Sequence, residues 1–250
     1  MTTTTDTLPT DLYRSSDRKV QADARVRNAF GLPAGKAYSC PGATSICDGV
    51  CYAGKIEKQY KAVFSRLNGN LELLRSLDIE GMTNALRIMV WQFAAECDKK
   101  GVEKKFRIHW DGDFFSRGYA IAWANVIREF PEITFWVYTR SFVPGANVVP
   151  LIAGIPNLAV YLSVDSENQE FAADILAEFP DVLPAVLSET MDEAAPINVE
   201  LTGKPGAKCP ELIKAIPLVN SDGVGACVAC GLCPMGKAPI RFASKKAGRK

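Results

Sequence analysis

Ile133-Thr-Phe-Trp-Val-Tyr-Thr139 is followed, about 25 residues on, by Leu158-Ala-Val-Tyr-Leu-Ser-Val164. Both runs are nearly all apolar and rich in aromatic and β-branched side chains, the pattern of strands buried on both faces. Phe106-Arg-Ile-His-Trp110 precedes them at similar spacing, and Val182-Leu-Pro-Ala-Val-Leu187 follows. Pro184 speaks against a central position for that last strand, because it cannot donate to a ladder. Helical stretches fill the gaps. Tyr119, Trp123, Val126, Ile127 and Phe130 share one face of a helix that Pro131 ends. Phe171, Ile175 and Phe179 mark another, with Ser166 and Gln169 as its capping box. A strand–helix alternation of this period predicts an α/β fold with parallel strands, a partial or complete (βα) barrel.

Toward the N-terminus, Ile56, Tyr60, Val63, Phe64, Leu67, Leu71 and Leu74 recur at helical steps, as do Met82, Leu86, Met89, Phe93 and Cys97. Cys97 is thereby assigned to a helix's apolar face, as a small core residue and not a ligand. Residues 1–36 are polar and then mixed, and predict an arm that wraps the domain after them. The barrel-like domain is expected over 37–205, a cysteine-rich metal module packed on it over 206–242, and a basic tail over 243–250.

The 29 basic and 28 acidic side chains leave a net charge of +1, which argues against a broad nucleic-acid surface. Lys237, Arg241, Lys245, Lys246, Arg249 and Lys250 crowd the C-terminus. They read as a solvated tail, so nucleic acid bound through it is not favoured. Met1-Thr-Thr-Thr-Thr-Asp6 has neither the basic flank nor the apolar core of a signal peptide, and no run reaches the roughly 20 apolar residues that span a bilayer. A cytoplasmic protein without membrane contact is expected.

The predicted strands end in polar residues: Asp111-Gly112-Asp113, Thr139-Arg140-Ser141, Ser163 with Asp165, and Ser188-Glu189. One such end is an ordinary loop entry or cap. Four in succession suggest a functional rim, where a βα barrel carries its chemistry. His109, the only histidine, alternates with apolar neighbours and reads as a satisfied core residue.

Seven of the eight cysteines fall into two groups. Cys40, Cys47 and Cys51 stand among Gly42, Gly49 and Gly54, after a short apolar run at 37–39 that reads as the end of a first strand. Three thiolates leave one metal position open, or leave it to Asp48, water or a distant thiolate. Cys209, Cys227, Cys230 and Cys233 form a complete four-ligand set in which Cys-x2-Cys-x2-Cys joins one distant ligand. Soft sulfur donors select zinc or iron–sulfur clusters, and this spacing favours a [4Fe–4S] cluster over zinc. One cluster or two, or one that draws thiolates from both groups, are all compatible with the spacing.

Cys40-x6-Cys47-x3-Cys51-Tyr52-Ala53 resembles a segment of a cysteine-rich actinobacteriophage protein family that is itself similar to radical S-adenosylmethionine enzymes. The resemblance covers roughly residues 36–242. It implies a partial βα barrel whose three-cysteine loop binds a [4Fe–4S] cluster with one open iron, S-adenosylmethionine being the partner of that iron. It places Asp111, Gly112 and Asp113 where such enzymes hold the cofactor's amino group, and Ser163 and Asp165 near its ribose or carboxylate. The spacing departs from the usual Cys-x3-Cys-x2-Cys, and Gly-Gly-Glu is absent. The alternative expectation is a non-catalytic iron–sulfur or zinc protein of a phage, with a structural, redox-sensing or partner-binding role toward a host or phage protein.

Overall fold

The computed structural model describes residues 11–23 and 26–244. Among the described residues seven strands form one sheet: β1 (Ala29–Gly31), β2 (Lys105–Asp111), β3 (Thr134–Thr139), β4 (Leu158–Val164), β5 (Leu183–Ser188), β6 (Ala207–Lys208) and β7 (Ile240–Ala243). All neighbouring pairs are parallel, in the order β1-β2-β3-β4-β5-β7-β6. Among the described residues β1 and β6 are the two edges, and no pairing joins them into a closed barrel.

The strand alternation sorts side chains between two cores. Phe135 and Val137 of β3, and Val160, Leu162 and Val164 of β4, enter the main core with the helices. Tyr138, Ala159 and Tyr161 point to the other face and form a second cluster with Ile240 and Phe242. On the main side lie α4 (Ile79–Lys100) and α5 (Arg117–Glu129), whose buried stripes include Met82, Leu86, Met89, Phe93 and Cys97, and Tyr119, Trp123, Val126 and Ile127. Asp78 caps α4 by accepting from Gly81 N, and Gly101 ends it at φ 62°. Ser116 caps α5 through Tyr119 N.

Several expectations are corrected. Residues 37–39 form a turn with Ala37 and Tyr38 exposed, and the first strand lies upstream at Ala29–Gly31. Phe30 and Leu32 are fully buried there, within the stretch read as an arm. The single helix expected from Ile56 to Leu74 is two, α2 (Tyr52–Gln59) and α3 (Lys61–Arg75), separated at Tyr60 by extended backbone. A shorter helix, α1 (Ser45–Val50), lies inside the first cysteine group.

Ser166 and Gln169 make no capping box. Helix α7 (Gln169–Glu178) starts after Asn168, whose side chain instead bonds Asp165 N and Ser163 O and pins the end of β4. Pro184 does sit in a strand flanked on both sides. Pairing of β5 with β7 begins only at Ala185, so the proline faces a partner on β4 alone.

The C-terminal cysteines occupy the connection between β6 and β7, including α9 (Ala226–Cys230). Cys209, Leu232 and Cys233 pack on the second core. The N-terminal stretch clamps this connection: Gly225 N donates to Gln21 O, Cys227 N to Lys19 O, and Lys19 Nζ pairs with Glu211 at 2.7 Å. Lys245, Lys246, Arg249 and Lys250 of the basic tail lie outside the described residues.

Candidate functional site

The ends of β2, β3 and β4 form a buried polar brace beneath the first cysteine loop. Asp113 accepts from Phe114 N at 2.8 Å, Thr139 Oγ1 at 2.7 Å and Arg140 N at 2.7 Å. Its own N donates to Ser39 Oγ, which donates to Pro33 O at 2.7 Å. Burial raises the Asp113 pKa, and these donors oppose the shift. Gly112 has φ 75° and lies against Ser39 Oγ and Leu32 O, with no room for a side chain.

The cysteine loop docks on this brace. A Cβ on Gly42 would strike the Arg140 carbonyl, so only glycine lets the two backbones touch. Thr44 Oγ1 donates to Asp165 Oδ2 at 2.6 Å, Arg140 Nη1 donates to the same oxygen at 2.5 Å, and Cys47 N donates to Thr44 Oγ1 at 3.0 Å. Ser45 bonds Glu167 through its backbone N and its hydroxyl.

Cys40, Cys47 and Cys51 are half-buried thiols with raised pKa values, in each case chiefly through burial. Asp113 raises Cys40 further, while the Arg140 guanidinium lowers Cys47. Gly54 N donates to Cys51 Sγ at 3.3 Å and favours its thiolate. A charge on Cys47 raises Cys40, and one on Cys51 raises Cys47.

Asp111 differs from Asp113. Both its carboxylate oxygens are buried beside Gly112 N and the Glu57 carboxyl, without a hydrogen bond of normal geometry. Burial, and then the neighbouring Glu57 carboxyl, push its pKa up to about 9. Glu57 Oε1 accepts from Ala34 N at 2.8 Å, so the hydrogen bond open to Asp111 is a proton shared with Glu57. Of the expected cofactor-binding residues, Asp113, Gly112 and Asp165 are engaged by the chain itself, the half-buried Ser163 lends its carbonyl to Asn168, and Asp111 faces Glu57.

The chain matches the gene product 88 family over residues 6–235. It belongs to that family. It is 41% identical over 245 residues to the gene 88 protein of Mycobacterium phage L5, covering 94% of this chain and 98% of the relative. The gene 88 protein of Mycobacterium phage D29 is also 41% identical, over 246 residues and the same shares. No solved structure matches the chain. No helix among the described residues is long and apolar enough to cross a membrane.

In the second cysteine group burial raises Cys209, Cys227 (to about 12) and Cys233 (to about 11). Cys227 and Cys233 each feel Cys209, and Cys233 feels Cys230. Two cations face these thiols. Arg107 lowers Cys227 and Cys233, and Lys19 lowers Cys209. Arg107 is held by Asp17 at 2.8 Å and lies 5.7 Å from the Tyr138 ring centre. Among the described residues no group of three or more His, Cys, Asp or Glu side chains is placed to hold a single metal ion.

A groove of about 510 Å³ opens beside the first cysteine loop, lined by Ser45, Ile46 and Val50 on one side and Ser188, Glu189 and Glu193 on the other. His109 lies away from it, in the helix-side core. Its Nε2 meets Tyr119 Oη at 2.9 Å, its ring is T-shaped on Phe114, and burial lowers its pKa to about 3. Glu57 and Arg107 had no sequence motif. Arg107 did carry a signal, as a cation flanked by Phe106 and Ile108 in a buried strand.

Proposed function

We propose that the chain is an iron–sulfur protein built on a partial βα barrel and similar to radical S-adenosylmethionine enzymes. Cys40, Cys47 and Cys51 would hold a [4Fe–4S] cluster at the rim. The observation that carries this reading is the docking of their loop onto Arg140 and Asp165, at the C-terminal ends of β3 and β4 and next to an open groove. A loop with only a connecting role has no need of three thiols at that position.

The donor set suits the group. Thiolates around a cluster stand farther apart than those around one ion, because the cluster lies between them. Three half-buried thiolates also need opposing positive charge, which iron would supply and Arg140 and the Gly54 N–H supplement. When bound and reduced, such a cluster supplies an electron to a sulfonium cofactor. The residues of the chain orient and shield: the Asp111 and Glu57 carboxyls lie beside the Cys51 thiol, and Asp113 and Asp165 hold the loop that presents the thiols.

The second cysteine group supports a second reading, a non-catalytic iron–sulfur or zinc protein. Cys209, Cys227, Cys230 and Cys233 lie where the N-terminal stretch, the β6–β7 connection and the sheet meet, so a metal there would staple chain ends together. Anaerobic purification with iron, sulfide and zinc analysis separates the two metals. S-adenosylmethionine added to the reduced protein should perturb its EPR spectrum, and 5′-deoxyadenosine should appear. A fully reconstituted protein that shows neither change leaves the structural reading in place of the enzymatic one.

A further inference from the structure

Directly after Cys51 the chain turns into α2, and its outer surface is unusual. Tyr52 is 54% exposed and Tyr60, at the break between α2 and α3, is 53% exposed. Lys55, Lys58 and Lys61 lie on the same stretch and are exposed. None of the ion pairs among the described residues involves these lysines. From Tyr52 to Arg66 the only acid is Glu57, which is turned inward and bonded to Ala34 N.

Tyr52, Lys55 and Lys58 follow at three-residue steps and are neighbours on the helix surface. Like charges at that spacing repel, so the strip does not serve the helix. It does serve a polyanion. The Tyr52 hydroxyl donates to Trp110 O at 2.8 Å, which pins the phenol while its ring stays open to solvent. A pinned ring loses little freedom on stacking. Tyr60 follows eight residues later, where α2 gives way to extended backbone, so the two rings can take different bases.

We infer that the exposed stretch from Tyr52 to Lys61 binds single-stranded nucleic acid, Tyr52 and Tyr60 stacking on bases and Lys55, Lys58 and Lys61 meeting phosphates. Exposed aromatic rings set among unpaired cations are what a single strand requires, since its bases offer π faces that a duplex hides. The overall charge of +1 is compatible with this, because the positive strip is local. The inference is independent of what the cysteines hold.

Fluorescence anisotropy of the full-length protein with labelled oligo-dT and with a duplex of equal length tests it. Preference for the single strand, with affinity falling as salt rises, is expected. Tyr60→Ser should weaken binding roughly tenfold, and Tyr60→Phe, which keeps the ring, should retain it. Changing Lys55, Lys58 and Lys61 together to Gln should flatten the slope of log affinity against log salt by about 2. These side chains are exposed, and thermal melts of each variant establish that the fold is intact. No binding at low salt overturns the inference. So does equal affinity for the duplex, an unchanged Tyr60→Ser, or displacement of the strand by polyglutamate as readily as by unlabelled oligo-dT.

Discussion

Arg140 and Asp165 meet at 2.5 Å at the ends of adjacent strands, both buried, with Thr44 of the cysteine loop on the same carboxylate oxygen. A buried charge pair of this kind is costly to break, because the surviving partner has no water to turn to. Arg140→Ala should destabilise the protein by about 3 kcal/mol, read as a drop in the denaturation midpoint. A midpoint within error of the wild type would mean that the pair is not holding this rim together.

The close approach of Gly42 to the Arg140 carbonyl leads to a sharper expectation. Gly42→Ala puts a methyl group into backbone that cannot swing aside, so the loop must lift off the strand ends. A loss of about 1–3 kcal/mol is expected, together with faster alkylation of Cys47 by iodoacetamide in metal-free protein. Unchanged alkylation would show that the loop is seated by other contacts.

Asp111 makes stability fall as pH rises. Its pKa is about 9 in the fold against an ordinary value of 3.8, so between those values the native state holds a proton that the unfolded chain has released. The contribution is complete below about pH 4 and disappears as pH passes 9. Asp111→Asn should flatten this slope in metal-free protein and leave the variant more stable than the wild type by about 1 kcal/mol or more at pH 8. Equal slopes for the two proteins in urea titrations at pH 5, 6.5 and 8 would remove Asp111 as their source.

Cys97 and Cys230 should separate packing from ligation. Cys97 is 1% exposed in the α4 stripe, so Cys97→Ala should keep the full metal content and cost about 1 kcal/mol. Cys230→Ser should lower metal content and melting temperature together, because a bound metal contributes folding free energy. Metal analysis and melting of both purified variants check this. The reverse pattern would move the ligand set.

What could be read in the sequence follows what neighbouring residues decide among themselves. The runs around β2, β3, β4 and β5, and the stripe Met82–Leu86–Met89–Phe93–Cys97, were legible because a buried strand or amphipathic helix writes its period into consecutive residues. Strands β1 and β6 were not, since three and two residues are too few to show a period. The break at Tyr60 was hidden because Tyr60 continues the apolar spacing of the helices on either side.

The chain by itself determined an α/β protein with parallel strands, polar strand ends and two thiol groups, all properties of local composition and spacing. Only the tertiary structure decided which polar residues brace and which do not. Asp111 and Asp113 differ by two positions and look alike in sequence. Asp113 is satisfied by Thr139 and Arg140, residues 26 and 27 positions away, while Asp111 faces Glu57. The same holds for Lys19 beside Cys209, and for Arg107 between Asp17 and Cys227. Burial and electrostatics act through space, so these partnerships appear only once the sheet has brought distant segments together.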